Sequence, residues 1–189
     1  MTIPNLITSL RIIIAPIFII YLLNEKFLPA LVVFVIAGLS DGADGLVARL
    51  FNQKSTLGSY LDPLADKILL VAAFVVLSFR GFVPSWLTVI VISRDVLILL
   101  GVSVLFINGL SITIRPSILS KATTCLQLAT VFVVLSTEYF HFSPGFHRLV
   151  FWLTGLFTIS SGLHYMYFWF QVIGNNHKAG GGEGKHHRS

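Results

Sequence analysis

Six long apolar stretches alternate with short polar or turn-forming segments along the chain. Because about 20 apolar residues are needed to cross a bilayer core of about 30 Å, such stretches predict membrane-spanning helices. The segments between them contain the glycine, proline, asparagine and serine residues that end helices, and we find no strand-like alternation. The predicted helices lie near residues 6–23, 29–49, 61–79, 85–107, 117–137 and 147–171. The pattern therefore predicts an all-α integral membrane protein, a bundle of six transmembrane helices.

Composition supports a membrane protein and suggests one domain. Of the 189 residues, 55% are hydrophobic and 11% are charged, whereas about 25% of residues in an ordinary soluble domain are charged. The mean hydropathy is +0.86. We expect one domain over residues 1–173, followed by a disordered polar tail over 174–189, where glycine, asparagine and charged residues replace the apolar ones.

The distribution of basic residues predicts the orientation in the membrane. Six crossings place both termini on one side, together with the loops after the second and fourth helices. Lysine and arginine residues concentrate on that side, which the positive-inside rule assigns to the cytoplasm. They are Arg49, Lys54, Arg115, Lys121, Lys178, Lys185 and Arg188, against Lys26, Arg80 and Arg148 opposite. The net charge of +5 is scattered among apolar segments, so we expect no nucleic-acid partner.

Four of the five aspartates of the chain fall within 26 residues. Asp41 and Asp44 are three residues apart and Asp62 and Asp66 are four apart, so each pair occupies one face of its own helix. Even one charge at bilayer depth costs about 2.5–3.5 kcal/mol on insertion scales, so four carboxylates need cationic compensation. Hard oxygen ligands without nearby cysteine or histidine favour Mg²⁺ or Mn²⁺, and we expect two ions.

Small and basic residues between the aspartates suit a phosphate-bearing ligand. Gly45 and Gly58 permit close approach to the backbone, Ala48 permits close helix packing, and Arg49 offers a forked phosphate donor. Carboxylates, metal ions and phosphate donors together are typical of phosphoryl transfer. The segment reads SDGADGLVARLFNQKSTLGSYLDPLADK and fits D-x-x-D-G-x-x-A-R-x8-G-x3-D-x3-D at every fixed position.

This motif resembles the signature of the CDP-alcohol phosphatidyltransferase family. The resemblance implies that Asp41, Asp44 and Asp62 bind the metal ions, with Asp66 as general base and further ligand. It also implies that the cytidine nucleotide of CDP-diacylglycerol meets Asp44, Gly45, Ala48, Arg49 and Gly58. The family reaction is in-line attack of an acceptor hydroxyl on the phosphate that bears the diacylglycerol, with CMP leaving. We expect the active site to lie in a cytosol-facing polar cavity of the bundle.

Basic residues beyond the motif suggest an acceptor that carries phosphate. Arg94 lies within the fourth predicted helix, and Arg115 and Lys121 lie near the start of the fifth. Charges at such depth commonly face a cavity, although an Arg94–Asp95 pair could instead orient helices, and Arg115 and Lys121 could be interfacial anchors.

Within the family, two anionic glycerol acceptors suit this pocket, glycerol 3-phosphate and phosphatidylglycerol. Synthases that use glycerol 3-phosphate usually carry Arg-Glu and a second arginine two turns on. This chain has Arg94-Asp95 with Gly101 and Val102 instead. That difference favours the cardiolipin-forming group, and an inositol phosphate acceptor stays an alternative.

Polar residues of the first predicted helix recur every three positions. Asn5, Thr8 and Arg11 could line the mouth of the cavity, or they could serve as helix caps and lipid-headgroup contacts.

Two other classes of protein compete with the enzyme. A membrane ion transporter could use intramembrane aspartates, but we find no internal repeat of the kind that transporters often have. A noncatalytic scaffold would have no need for four clustered carboxylates. The expected partners are the two substrates and membrane lipids. A homodimer is also reasonable, because a small bundle leaves surplus apolar surface.

Overall fold

The structure is a computed structural model that describes residues 14–51, 58–107 and 118–180. Side chains are described over residues 14–40, 67–101, 103, 118–169 and 171. These ranges are helical and contain no strand, which confirms the predicted all-α class. The helices are α1, with its described part at Ile14–Leu23, α2 at Phe27–Phe51, α3 at Gly58–Phe79, α4 at Ser85–Ile107, α5 at Ile118–Leu135, α6 at Thr137–Phe140 and α7 at Pro144–Gly180.

Two differences from the predicted boundaries lie in the last third of the chain. A short helix, α6, follows a break at Ser136, where the prediction had one helix ending at residue 137. Helix α7 continues to Gly180 instead of ending at residue 171, because no proline after Pro144 interrupts its backbone hydrogen bonds. The first part of the predicted polar tail, residues 174–180, is therefore helical, and residues 181–189 lie outside the described ranges.

Local hydrogen bonds explain where α1 and α3 end. After α3, Phe82 N donates to Leu77 O at 2.9 Å and Gly81 N donates to Ser78 O at 3.0 Å. This pattern is a Schellman motif, which needs a left-handed residue, and Gly81 has φ 81°. Glu25 takes the equivalent position after α1 with φ 56°.

Two separate sets of side-chain contacts stabilise the turns after α1 and α3 and the start of α7. Arg80 Nη1 donates to Glu25 Oε1 at 2.9 Å, and the same guanidinium contacts Leu23 O, so the turn after α3 is tied to the turn after α1. Helix α7 begins with Pro144 in its first turn, and Phe146 N donates to Ser143 Oγ at 3.3 Å, as expected for a serine N-cap.

The apolar core contains residues from all five helices α1 through α5. Fully buried Phe18, Phe74, Leu87 and Leu135 come from α1, α3, α4 and α5, and the core cluster also contains buried α2 residues such as Phe34. Helix α5 contacts α2, α3 and α7, and α4 contacts α3 and α7.

The α5–α7 interface is closed by small polar side chains. Thr130 and Thr154 share a hydrogen bond of 2.7 Å between hydroxyls, and Gln127 Nε2 donates to Thr158 Oγ1 at 3.3 Å. All four side chains are buried. Threonine and glutamine commonly join helices in this way within membranes, where backbones approach closely and polar groups need internal partners.

The outer surface of the bundle is apolar. Exposed fractions reach 84% for Phe79, 61% for Val89 and 64% for Trp152, which suits contact with lipid and not with water. Among the described residues, Ile118–Leu135 and Pro144–Trp169 are long and apolar enough to span a membrane. Shorter apolar helices lie at Ile14–Leu23, Phe27–Ser40 and Lys67–Phe79. Two spans are therefore supported by length and composition, and the six-span bundle stays a prediction.

Candidate active site on α2 and α3

The clustered aspartates lie on two consecutive helices. Asp41 and Asp44 are in the C-terminal half of α2, and Asp62 and Asp66 are in the first turns of α3. Both segments are continuous helix, so the two members of each pair lie about one turn apart along their backbone. Six residues, 52–57, separate the helices and lie outside the described ranges.

The short connection between α2 and α3 puts both pairs at the same end of the bundle. Ala37 of α2 and Leu70 of α3 line one cavity. Asp41 follows Ala37 by four residues, and Asp66 precedes Leu70 by four residues. From this shared cavity, both helices continue toward the segment that connects them, and the aspartates are on those continuations.

This cavity has a volume of about 570 Å³ and lies between α2, α3 and α5. We call it groove A. Its lining is apolar apart from Lys67 and Thr124, and Lys67 directly follows Asp66 in the sequence. The lining residues are Phe34, Val35, Ala37, Gly38, Leu39, Lys67, Leu69, Leu70, Thr124, Leu128, Ala129 and Phe132.

Lys67 belongs to a buried charge network with α4. Its Nζ donates to Asp95 Oδ1 at 2.8 Å, and Arg94 Nη1 donates to the same oxygen at 2.7 Å. Arg94 and Asp95 are only 4% and 5% exposed. Two cations therefore share one carboxylate, and the trio carries one net positive charge beside the α3 segment that bears Asp66.

Arg94 also joins α4 to α5 and α7. Its Nη2 donates to Ser120 Oγ at 2.6 Å and to Ser161 Oγ at 3.2 Å. The stem of the arginine packs against α7 at Gly162, where a Cβ would lie in ordinary van der Waals contact with Arg94 Cγ, at 3.8 Å. In the described part of the structure Arg94 Nε is buried without a hydrogen-bond partner. These contacts support the alternative that Arg94 orients helices. The buried guanidinium also keeps a positive charge on α4, where the acceptor pocket is predicted.

The other predicted site residues fall into two groups. Gly45, Ala48 and Arg49 are on α2, and Gly58 is the first residue of α3, but their side chains lie outside the described set. Lys121 is exposed in the first turn of α5. The predicted residues outside the described ranges are Asn5, Thr8, Arg11 and Arg115.

The metal centre stays a prediction of the motif. Among the described side chains, no group of three histidine, cysteine or acidic residues could hold an ion. The four carboxylates of the motif are not among those side chains. Their chemistry suits the predicted ions, because carboxylate oxygens are the ligands that Mg²⁺ and Mn²⁺ prefer.

Sequence reasoning missed the contact between Lys67 and Asp95. Asp95 is 28 residues away from Lys67 on another helix, a separation at which no helical spacing rule applies. One signal was present, because a lysine inside an apolar stretch needs a partner or a cavity.

Comparison with known proteins agrees with the motif. The family model described as CDP-alcohol phosphatidyltransferase matches residues 1–160. The chain belongs to the CDP-alcohol phosphatidyltransferase family. The matched range includes every residue of the aspartate motif and also Lys67 and Asp95. The resemblance seen in the sequence is therefore confirmed.

Three similar proteins are named cardiolipin synthase (CMP-forming). The chain is 37% identical over 173 residues to cardiolipin synthase (CMP-forming) of Rattus norvegicus and 36% identical to that of Homo sapiens, with 83% of this chain covered in each case. A cardiolipin synthase (CMP-forming) of Streptomyces coelicolor is 36% identical over 115 residues, or 58% of this chain. The matched regions make up 57%, 58% and 54% of those relatives, so the chain spans little more than half their length.

Proposed function

We propose that this protein is a membrane phosphatidyltransferase of anionic phospholipid synthesis. It moves the phosphatidyl group of CDP-diacylglycerol to the hydroxyl of a phosphate-bearing glycerol acceptor and releases CMP. The observation that carries the proposal is the complete aspartate motif on α2 and α3, two consecutive helices that line one cavity. Family membership supports the reaction class.

The four aspartates divide the chemistry between them. Asp41, Asp44 and Asp62 would hold Mg²⁺ or Mn²⁺, with Asp66 as a further ligand, and bound ions would neutralise charge on the phosphate oxygens. Asp66 accepts the proton of the acceptor hydroxyl. The hydroxyl oxygen forms a bond to the phosphorus that carries the diacylglycerol, and the bond from that phosphorus to the CMP oxygen breaks.

The nucleotide lies along the C-terminal part of α2. Gly45 and Gly58 have no side chain to prevent close approach of the diphosphate, and Ala48 is small for the same reason. Arg49 donates to the phosphate oxygens through its planar fork.

The acceptor pocket lies on the α4–α5 side. Arg94, Arg115 and Lys121 supply its positive charge, and Arg94 acts through the charge network described above because its side chain is buried among protein partners. Phosphatidylglycerol is the favoured acceptor, since the relatives are named cardiolipin synthases (CMP-forming). Glycerol 3-phosphate and an inositol phosphate are the competing acceptors.

The same proposal includes the arrangement in the membrane. Six helices cross it, both termini and the active site face the cytoplasm, and Asn5, Thr8 and Arg11 line the mouth of the cavity. The apolar outer surface suits membrane lipids and a homodimer.

The test is an assay of the purified chain in detergent with labelled CDP-diacylglycerol and either Mg²⁺ or Mn²⁺. Phosphatidylglycerol, glycerol 3-phosphate, inositol phosphate and serine are supplied as separate acceptors. We expect CMP release that depends on metal and on phosphatidylglycerol. Absence of metal-dependent CMP release with every acceptor would refute the enzyme proposal.

A further inference from the structure

A cavity lies at the end of the bundle that is remote from the aspartates. It has a volume of about 590 Å³ and lies between the start of α4, helix α6 and the first turns of α7. We call it the aromatic cavity, after the tryptophan and phenylalanine rings that line it. The lining residues are Pro84, Trp86, Thr137, Phe142, Pro144, His147, Arg148, Phe151 and Trp152.

The length of α3 separates the aromatic cavity from the candidate active site. Asp62 lies near the start of α3 and Phe79 is its last residue, so these two residues are about 25 Å apart at a rise of 1.5 Å per residue. The turn after Phe79 leads to Pro84, which lines the cavity. A ligand bound there would therefore be far from the proposed reaction centre.

Packing between α4 and α7 builds one side of the cavity. The ring centroids of Trp86 and Trp152 lie 5.1 Å apart. Gly155 provides the space for Trp86, since a Cβ at this position would lie 2.7 Å from the indole ring. Helix packing thus fixes the position of Trp86, and this wall of the cavity is already formed without a ligand.

Hydrogen bonds fix the opposite side of the cavity at His147. Its Nε2 lies 2.9 Å from Thr137 Oγ1, and its Nδ1 lies 3.3 Å from Ser143 O. The ring also contacts Phe142, with centroids 5.9 Å apart. Because both ring nitrogens have protein partners, His147 shapes the cavity, and Arg148 is the residue that can donate to a ligand.

Arg148 has no carboxylate partner. Of the three arginines whose side chains are described, Arg80 pairs with Glu25 and Arg94 pairs with Asp95. Arg148 is exposed and makes no ion pair within the described part of the structure. The described residues that line the aromatic cavity include no acidic one. The cavity therefore carries positive charge and favours an anion.

We propose that the aromatic cavity binds the headgroup of an anionic phospholipid, with the lipid phosphate on Arg148. The planar guanidinium can donate two parallel hydrogen bonds to a phosphate group. Tryptophan rings favour the boundary between hydrocarbon and water, which is also where lipid phosphates lie. Trp152 is 64% exposed, so the cavity opens toward the surrounding lipid.

Size and charge support this class of ligand. The volume lies within the range of about 300–1,000 Å³ that small-molecule sites occupy. A zwitterionic choline lipid would bring a second cation close to Arg148, and no carboxylate lines the described cavity to compensate for it. The lipid bound here is not a substrate, so the inference is independent of the proposed reaction.

Tryptophan fluorescence tests the site, because two of the three tryptophans of the chain line the cavity. Trp169→Phe removes the third. The purified protein in this background is placed in phosphatidylcholine bilayers that contain a lipid brominated near the glycerol end of its acyl chains, either phosphatidic acid or phosphatidylcholine. Bromine quenches indole fluorescence only at short range, so lipid at the aspartate end does not contribute. We expect phosphatidic acid to bind about fivefold more strongly, the preference that one basic residue at a membrane surface gives.

A matched pair of substitutions assigns this preference to Arg148. Arg148→Gln and Lys26→Gln each remove one positive charge from the same end of the bundle, but Lys26 does not line the cavity. Arg148→Gln should abolish the preference for phosphatidic acid, whereas Lys26→Gln should keep it. Arg148→Lys retains the charge and should keep most of it. The emission spectrum without brominated lipid shows whether Trp86 and Trp152 keep their surroundings in each variant.

Three results would overturn the proposal. Equal quenching by both lipids in the Trp169→Phe background would mean that the rings only belong to the usual interfacial belt of aromatic residues. The same loss of preference in Arg148→Gln and Lys26→Gln, or in neither, would show that the cavity does not recognise the headgroup. Relief of quenching by inorganic phosphate, but not by sodium chloride at equal ionic strength, would indicate a site for free anions. None of these measurements requires turnover, so their outcome is separate from that of the proposed function.

Discussion

Asp95 is the shared partner of two cations, the buried Arg94 and the partly exposed Lys67. Its Oδ1 accepts from Lys67 and from Arg94 at 2.8 and 2.7 Å, and the carboxylate and guanidinium side chains are 7% and 5% exposed. Removing one partner of a buried ion pair leaves the other charge without compensation, which is costly in a medium of low polarity. The two cations are not equivalent, because the Lys67 side chain is 32% exposed.

This difference predicts unequal costs for two substitutions. Asp95→Ala should lower the free energy of unfolding by about 3–5 kcal/mol, the usual cost of a broken buried pair. Lys67→Met should cost much less, since the Arg94–Asp95 pair survives and the partly exposed lysine is replaced by an apolar chain of similar length. Thermal unfolding of the purified variants in one detergent measures both. Equal destabilisation would show that Lys67, and not Arg94, is the main partner of Asp95.

Asp66 provides the test of the catalytic assignment. Asp66→Asn keeps the size of the side chain but removes the negative charge that accepts a proton, so turnover should fall by about 10²–10⁴-fold, the usual contribution of a general base. The variant should still bind CDP-diacylglycerol, because the nucleotide contacts belong to other residues. Single-turnover CMP release and equilibrium binding of labelled donor measure the two properties. Near-normal turnover would exclude Asp66 as the base.

At the scale of helices, α4 packs on α7 through glycines that face aromatic rings. A Cβ at Gly155 of α7 would lie 2.7 Å from the ring of Trp86, and a Cβ at Gly101 of α4 would overlap the indole of Trp169. Both contacts require a residue without a side chain, since interiors are close-packed and added atoms force neighbours to move.

Two helical glycines give a matched prediction about this packing. Gly101→Ala should destabilise the protein by about 1–3 kcal/mol through overpacking. Gly38→Ala on α2 should stabilise it by about 0.5–1 kcal/mol, because alanine is the better helix former and no atom of the described residues lies within 4 Å of its Cβ. Thermal unfolding in one detergent compares the pair. A stabilising Gly101→Ala would mean that Trp169 does not occupy this position.

The helices themselves could largely be predicted from the sequence. Breaks at Gly81 and Pro84 fixed the end of α3 and the start of α4 at the predicted residues 79 and 85, because each residue imposes a local backbone conformation. The end of α7 could not be predicted in this way. Its apolar pattern stops near Trp169, but a helix without proline continues through polar residues, and here it continues to Gly180.

For the molecule as a whole, the motif located the candidate site, but contacts across helices could not be predicted. Asp41 to Asp66 lie in one stretch of sequence, so their spacing alone indicated two helix faces and a shared metal centre. The Lys67–Asp95 pair depends on how α3 and α4 pack, and groove A depends on how α2, α3 and α5 pack. Packing of that kind leaves no fixed spacing in the sequence. Arg94 illustrates the limit, because only the structure shows its hydrogen bonds to Ser120 and Ser161.

Helix α5 offers a test of how the bundle crosses the membrane. Its 18 residues span about 27 Å at 1.5 Å per residue, close to the thickness of the hydrocarbon core. Ile118, 88% exposed, lies at one end of α5, and Glu138 lies just beyond the other end on the exposed face of α6. The proposed orientation places Ile118 at the cytoplasmic side and Glu138 at the opposite side.

Cysteine labelling distinguishes the two ends. The chain has a single cysteine, Cys125, so a Cys125→Ser background allows one cysteine to be added at a time. In intact cells, with the protein in a membrane whose outer face is accessible, a membrane-impermeant maleimide should label Glu138→Cys directly. The same reagent should label Ile118→Cys only after permeabilisation, because positive charge near the aspartate end holds that end in the cytoplasm. The reverse pattern would refute the orientation, and equal labelling of both positions before permeabilisation would refute the crossing of α5.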